Sequence, residues 1–302
     1  MSFVFPLLAV LIWAANTIVS KAAAGVLDPA AISFFRWIVA ALVLTPFCAR
    51  RAWLQRAEIR PWLGRFAVLS VLGMILYQCL AYYAAHSTSA TNMGVICALI
   101  PMLVLVINGL VFRQRVSASA IMGVAISFVG VIWLLSHGDP ASLMAAGVNR
   151  GDTLMLCGAG AYALYGVLYR RWAPPFGLWV NLYVQVLIAV IALIPLALTA
   201  HSLAVPLKGV GLILFAGVAS SVVASYLWMH GIERIGSERT AVMMNVLPLF
   251  TALLASVLLD ETIQRHHWIS GGLILLGVSL TQGVFGMLFG RRSLRTQEST
   301  SG

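Results

Sequence analysis

The chain has 302 residues, of which 61% are hydrophobic and only 9% are charged. Soluble domains carry about 25% charged residues, so this composition excludes a soluble globular protein and predicts a polytopic membrane protein. The net charge of +10 does not indicate nucleic-acid binding, because the basic residues lie mostly in short connections between apolar segments, where they are typical of membrane topology.

Ten apolar segments follow one another along the chain, and each is long enough for a helix that crosses about 30 Å of hydrocarbon. They lie at roughly 3–23, 30–49, 65–85, 89–111, 117–136, 153–172, 178–199, 209–229, 238–259 and 268–289. The predicted fold is therefore an all-α integral membrane protein with ten transmembrane helices. The polar segment 290–302 is predicted to be a cytoplasmic tail.

The two halves of the chain repeat each other in the order of their apolar segments and helix breakers. The sequence "GVICALIPMLVL" around Pro101 corresponds to "AVMMNVLPLFTA" around Pro248, 147 residues later. Nearer the start of each half the offset is 149, which pairs Trp13 with Tyr162. We therefore predict one five-helix repeat at 1–136, an external connecting loop at 137–152 and a second five-helix repeat at 153–289.

The basic residues also predict the orientation in the membrane. With a cytoplasmic N-terminus, 14 Lys and Arg residues of the connections and span ends lie on the cytoplasmic side and four lie on the external side, leaving out Arg36. Both termini are thus predicted to be cytoplasmic. Because each repeat has five spans, the second enters the membrane from the opposite side. Such inverted repeats have inward-open and outward-open packings of similar energy, which favours transport by alternating access.

Polar and aromatic residues near the middle of several spans are candidates for a solute cavity. Trp13 and Asn16 share one face of the first span, and Tyr162 and Tyr165 share one face of the sixth. Rings pack against the apolar part of a solute, while amides and hydroxyls orient its polar end. The alternative is hydrogen bonding between packed helices. The predicted substrate-binding residues are Trp13, Asn16, Arg36, Gln78, Tyr82, Tyr162, Tyr165, Trp228 and Asn245.

Three of these candidates have a specific alternative. Tyr82 and Trp228 lie near opposite ends of their spans, where aromatic residues are common at the membrane interface. Arg36 is the one clear charge within a span. It is either a counter-charge for a substrate carboxylate or a structural residue that contacts backbone carbonyls or lipid headgroups.

Pro101 and Pro248 each remove a backbone donor and are predicted to kink the fourth and ninth spans. We expect them to act as hinges during transport; kinks that only serve packing are the alternative. The acidic residues and histidines lie in loops or near span ends, whereas proton-coupled carriers commonly hold an ionisable group at depth. This favours facilitated diffusion or exchange over strict proton coupling.

The sequence does not favour an enzyme. It contains no H-E-x-x-H, G-x-S-x-G or P-loop motif, and catalysis needs a positioned acid, base or metal. The four cysteines, Cys48, Cys79, Cys97 and Cys157, do not have the spacing of a metal site. We therefore expect no metal and no cofactor, and an intramembrane enzyme remains a remote alternative.

Several longer motifs resemble the drug/metabolite transporter superfamily, in particular its EamA-type ten-helix exporters. They are "LIWAANTIVSKAAAG", "AISFFRWIVAALVL", "AYYAAHSTSATNMGVICALIPMLVLVINGLVF", "YLWMHGIERIGSERTAVMMNVLPLFTALLASVLLDETI" and "GGLILLGVSL". The family often ends its fourth and ninth spans with an acidic residue. Glu261 fits this pattern in the second half, but the first half has Gln114, which puts a symmetric role for that acid in doubt.

The resemblance implies export of small metabolites across the bacterial inner membrane, with the lipid bilayer and a small-molecule substrate as partners. The aromatic-rich spans look most like the amino-acid exporter branch. Another solute class, such as sugar derivatives, purines or drugs, and proton coupling are the alternatives. The sequence does not indicate an oligomeric state.

Overall fold

The computed structural model describes residues 4–111, 113, 118–141, 148–235 and 243–281, and every regular element in these ranges is helical. The first half contains α1 (Val4–Ala23), α2 (Pro29–Leu54), α3 (Arg56–Ala84), α4a (Ala90–Cys97), α4b (Ile100–Leu110) and α5 (Ala118–Leu135). The second half contains α6 (Arg150–Trp172), α7 (Leu178–Leu198), α8 (Leu207–Leu214, Phe215–Val223 and Ala224–Ile235), α9 (Met244–Val246 and Leu247–Leu258) and α10 (Arg265–Thr281). Helices thus lie in each of the ten predicted segments.

Capping residues define where several of these helices begin. The side chain of Asp28 accepts a hydrogen bond from the backbone N–H of Ala30 (2.8 Å) at the start of α2. Ser89 caps α4a in the same way, and Asn149 caps α6. Each of these side chains satisfies one of the backbone donors that a helix leaves free in its first turn.

Five helical stretches are long and apolar enough to cross a membrane: Val4–Ala23, Pro29–Leu54, Arg56–Ala84, Leu178–Leu198 and Leu207–Trp228. A sixth is obtained if α4a and α4b count as one bent span, and the apolar stretches of α5 and α9 are shorter. Although α6 has 23 residues, glycines, tyrosines and terminal charges reduce its apolar character. The protein is therefore multi-pass, whereas ten crossings and the orientation of the termini stay predictions.

The fourth and ninth spans are interrupted just before their prolines. The α4a and α4b segments meet at 43°, and Pro101 lies in the first turn of α4b. In α9 a 3₁₀ turn, Met244–Val246, precedes the α-helix, and Pro248 lies in its first turn. Proline costs little there, because an N–H in the first turn has no partner within the helix. The prolines thus begin new helical segments after a break, and the 43° bend in the fourth span is the kink predicted at Pro101.

Two π-helical segments, Ser70–Leu76 in α3 and Phe215–Val223 in α8, lie at equivalent places in the repeats. A π-helix places an additional residue in each turn and alters the backbone hydrogen bonding, which often occurs at functional sites. Side chains use the carbonyls of both segments as acceptors. The Trp37 indole N–H donates to the carbonyl of Met74 (3.1 Å), and the Trp13 indole N–H donates to that of Ser220 (3.2 Å).

The main helix contacts join one half of the chain to the other. α2 packs against α7, and α5 packs against α10. α6 packs against α3 and α4b, while α1 makes the equivalent contacts with α8 and α9. Exchanging each helix for its counterpart in the other half, from α1 for α6 to α5 for α10, leaves this set of contacts unchanged.

Two glycines that the repeat pairs, Gly130 and Gly277, bring α5 and α10 close together. A methyl group on Gly130 would lie 2.9 Å from Cγ1 of Ile274. A methyl group on Gly277 would collide with the Ser127 side chain and with the backbone carbonyl of Gly123. Small residues at such a crossing let two backbones approach within a membrane.

Candidate functional site

A cavity of about 140 Å³ lies between the two halves, among α1, α2, α3, α4, α6, α7, α8 and α9. Six of the nine predicted substrate-binding residues line it: Trp13, Asn16, Arg36, Gln78, Tyr162 and Tyr165. Ligand pockets for drug-sized molecules usually measure about 300–1,000 Å³. The cavity in this conformation is smaller than such pockets.

Aromatic rings form one wall of the cavity. The ring centroid of Tyr162 lies 4.7 Å from that of Tyr77 and 5.4 Å from that of Tyr165. The Trp13 ring also lines the cavity, and its centroid lies 5.2 Å from that of Trp228. The wall can thus pack the apolar part of a solute against tilted rings.

Asn16 is the cavity residue whose hydrogen bonding is least complete. Its side chain is 9% exposed, and its amide oxygen is buried with no hydrogen-bond partner among the described residues. Most buried polar groups in proteins have a partner. Asn16 therefore combines contact with the cavity and an unpaired amide oxygen that is itself buried in this conformation.

Arg36 is 1% exposed and joins three helices. Its Nη1 donates to Oε1 of Gln78 (2.6 Å) and to the hydroxyl of Tyr82 (2.8 Å), both on α3. Its Nη2 donates to the Ala216 carbonyl (3.1 Å) and to Oγ of Ser221 (2.8 Å) in the π-helical segment of α8. The predicted contact with a backbone carbonyl is therefore present. The alternative contact with lipid headgroups is wrong, because the side chain is buried inside the protein.

Two further candidates, Tyr82 and Trp228, do not line the cavity. Tyr82 is 2% exposed and lies behind Arg36, because its hydroxyl is used to hold the guanidinium. Trp228 supports Trp13 from a second layer. The side chains of Asn245 and Pro101 lie outside the described part of the structure.

Gln185, the repeat counterpart of Arg36, is buried and donates to the carbonyl of Asn181 (3.0 Å).

Sequence patterns did not identify Gly73 and Ser220, which also line the cavity. Both lie in the π-helical segments, where the extra residue per turn disrupts the spacing on which helical-face predictions depend. The sequence signal that could have identified them is that a small residue occupies equivalent positions in both halves.

A second, polar cavity of about 580 Å³ lies at the end of the molecule that is predicted to be external. Here Asp152, in the first turn of α6, is 1% exposed and accepts hydrogen bonds from Oγ1 of Thr88 and Nδ2 of Asn92 (3.2 Å). The Asn92 amide oxygen in turn contacts Nε2 of His267 (3.1 Å). Nζ of Lys21 donates to two carbonyls of the α3–α4 connection, both at 2.7 Å. This network ties α1, α4, α6 and α10 together.

Glu261 belongs to the same region and caps a helix from another part of the chain. Its carboxylate accepts from the backbone N–H groups of Ala90 (2.8 Å) and Thr91 (3.1 Å), at the start of α4a. A carboxylate is stabilised there by free N–H groups and by the helix dipole. The family-typical acid therefore has a structural role in this conformation, and Gln114 lies outside the described residues.

No group of three or more His, Cys, Asp or Glu side chains within the described ranges has the geometry of a metal site. The chemistry that the central cavity offers consists of aromatic packing, an open amide and one buried cation.

Comparison with known proteins identifies a family whose model matches most of this sequence. Residues 1–136 and 149–282 match the model of the EamA-like transporter family. An uncharacterized transporter of Bacillus subtilis (strain 168), YyaM, is 24% identical over 269 residues, which cover 88% of both chains. An uncharacterized transporter of Archaeoglobus fulgidus is 27% identical over 277 residues, which cover 91% of this chain and 94% of the relative.

A solved protein structure has the same fold. It superposes with a TM-score of 0.59 and 17% sequence identity, and the match covers 95% of this chain and 98% of the other.

Proposed function

Because the chain belongs to the EamA-like transporter family, we propose that it exports amino acids or similar small amphipathic metabolites by alternating access. The family and the names of the relatives identify a membrane transporter and not an enzyme. The observation that carries the choice of solute is the cavity between the halves. It combines the rings of Trp13 and Tyr162 with the open amide of Asn16, which suits a solute with one apolar and one polar end.

The test is counterflow in liposomes that contain the purified protein, with a panel of labelled amino acids. We expect uptake of at least one amino acid, and we expect Trp13→Ala to lower it about tenfold because an aromatic contact is lost. Trp268→Ala is the matched control, since this tryptophan is 59% exposed. Counterflow of purines, sugar derivatives or drugs, with none of any amino acid, would contradict the proposed solute class.

Facilitated diffusion or exchange is the proposed mode of transport. Among the side chains described around the cavity, none is acidic and none is a histidine, so a proton has no titratable carrier of that kind at depth. A pH gradient across the liposome membrane should therefore leave the final solute distribution unchanged. Uphill accumulation driven by such a gradient would overturn this part of the proposal.

The proposed architecture is ten transmembrane helices in two inverted repeats, with both termini cytoplasmic. The interchange of helix contacts between the halves supports the repeat. In this arrangement the network around Asp152 lies on the external side of the membrane. The orientation is tested with cysteines introduced one at a time into a Cys157→Ser background, since Cys157 is exposed and the other three cysteines are buried. A membrane-impermeant thiol reagent should label Val148→Cys from outside and Ala57→Cys from inside; the reverse result would refute the topology.

A further inference from the structure

The central cavity holds a positive charge that no described acidic side chain balances. Arg36 lines the cavity, and all partners of its guanidinium are neutral: Gln78, Tyr82, the Ala216 carbonyl and Ser221. Its Nε is buried without a hydrogen-bond partner among the described residues. The rings of Trp37 and Tyr82 lie 5.1 and 5.8 Å from its Cζ and offset part of the cost of burying the charge. A buried charge also needs an ionic partner and complete hydrogen bonding, and this guanidinium has neither among the described residues.

We propose that Arg36 makes the carrier selective for solutes that bear a carboxylate, and that a free amino group on the solute is dispensable. This inference rests on the proposed function, because it concerns which part of an amphipathic solute the same cavity recognises. The carboxylate supplies the missing negative charge, and charge-assisted hydrogen bonds to a guanidinium are among the strongest that proteins form.

The surroundings of Arg36 allow such an exchange of partners. Gln78 and Ser221 hold the guanidinium, and both also line the cavity. A carboxylate oxygen therefore takes the place of one of these neutral acceptors without moving Arg36. The apolar part of the solute then lies against the rings of Trp13 and Tyr162, which line the same space.

An ammonium group finds weaker partners in this cavity. The open amide oxygen of Asn16 and the aromatic faces accept it, but no carboxylate is present among the described lining residues. A solute that carries an amine and no carboxylate also meets the like charge of Arg36, which is unfavourable at low dielectric. Amines and cationic drugs are thereby disfavoured.

Binding to the purified wild-type protein provides the first test, measured as a ligand-induced rise in melting temperature at pH 7. Four compounds share one ring and a closely similar chain: 3-phenylpropionate, phenylalanine, 3-phenylpropanamide and phenethylamine. We expect the two carboxylates to bind with similar Kd values, and the amide and the amine to bind about tenfold more weakly or worse. A second series on the leucine skeleton covers aliphatic solutes.

The outcomes separate the two proposals. Equal binding of the amide or the amine and the carboxylates would overturn the role of Arg36 and leave the proposed function intact. Failure of every compound in both series to bind would contradict the proposed solute class itself, and this inference with it.

Two variants test the residue directly, with the ratio of the amide Kd to the carboxylate Kd as the readout. Arg36→Lys keeps the charge and should keep this ratio within about threefold, whereas Arg36→Gln should bring it close to one. If Arg36 only joined α2, α3 and α8, both variants would weaken all compounds alike and leave the ratio unchanged. The wild-type series does not depend on the folding of either variant.

Discussion

At the scale of single residues, the side chains around the cavity differ in how completely their hydrogen bonds are satisfied. Trp13 donates to the Ser220 carbonyl, so its polar group is occupied and its ring remains as a contact surface. The amide of Asn16 and the Nε of Arg36 have no partner in the described structure. Unsatisfied buried groups are costly, so these two atoms lower the stability of this conformation.

Gly73 provides a local test of the cavity. A methyl group at this position would lie 2.7 Å from the ring of Tyr165, so Gly73→Ala should push that ring out of place. We expect counterflow to fall about fivefold or more, because overpacking costs about 1 kcal/mol or more. Gly64→Ala on the same helix is the control, since nothing lies within 4 Å of the added methyl group. Equal activity of both variants would show that Gly73 does not shape the cavity.

His267, in the first turn of α10, predicts a pH dependence of stability. Burial and the neighbouring His266 lower its pKa from 6.5 to about 4, against the opposite effect of Glu261. The pKa of His267 is therefore lower in the folded protein than in the unfolded chain. The contribution of the neutral imidazole to the free energy of unfolding is complete above pH 6.5 and is lost as the pH falls towards 4. The melting temperature should therefore fall over this range.

The same pH series with His267→Phe identifies the group responsible. This variant cannot titrate at that position, so its melting temperature should fall less between pH 6.5 and pH 4 than that of the wild type. His201→Phe, at an exposed histidine, should follow the wild-type curve. Parallel curves for all three proteins would exclude His267 as the source.

At the scale of elements, the regular helices and the breaks at Pro101 and Pro248 were predictable, whereas the π-helical segments were not. The spacing of Trp13 and Asn16 predicts a shared face on α1, and the structure places both on the cavity. The π-helical segments have no such pattern, because a single extra residue per turn is a small local change with no composition of its own. Gly73 and Ser220 were missed for this reason, and Tyr82 was placed in the cavity although its hydroxyl binds Arg36 from behind.

The interruptions in α4 and α9 give a prediction for the proposed hinges. Replacing both Pro101 and Pro248 by alanine restores a backbone donor in each first turn and removes the steric block to a continuous helix. We expect slower counterflow, about tenfold, with little change in melting temperature. Single replacements should have intermediate rates. Unchanged transport in the double variant would mean that the breaks serve packing only.

At the scale of the whole molecule, the order of ten apolar segments predicted where the helices lie, but not how their ends are arranged. The hydrophobic pattern records burial in lipid or protein and does not distinguish a full crossing from a broken or shorter helix. The contacts between halves, such as α2 with α7, depend on three-dimensional packing. One sequence signal was related to that packing: the repeat pairs Gly130 with Gly277, and both glycines lie where α5 contacts α10.

The crossing of α5 and α10 can be tested through its glycines. Gly277→Ala introduces a collision with Ser127 and the backbone of Gly123, and should destabilise the protein by about 1–3 kcal/mol. Gly271→Ala on the same helix meets nothing within 4 Å and should change the stability by less than about 0.5 kcal/mol. Thermal unfolding in detergent measures both. Equal melting temperatures of the two variants would mean that α5 and α10 can move apart to accept the methyl group without loss of stability.

The pairing of Arg36 with Gln185 across the repeat has a consequence for why the two halves are joined in one chain. The contacts between the halves are of a kind that two copies of a single five-helix unit could make with each other. An assembly of identical units would carry an arginine at both equivalent positions or at neither. Joining two diverged units in one polypeptide permits a buried arginine on one half of the shared cavity without a charged counterpart in the other half.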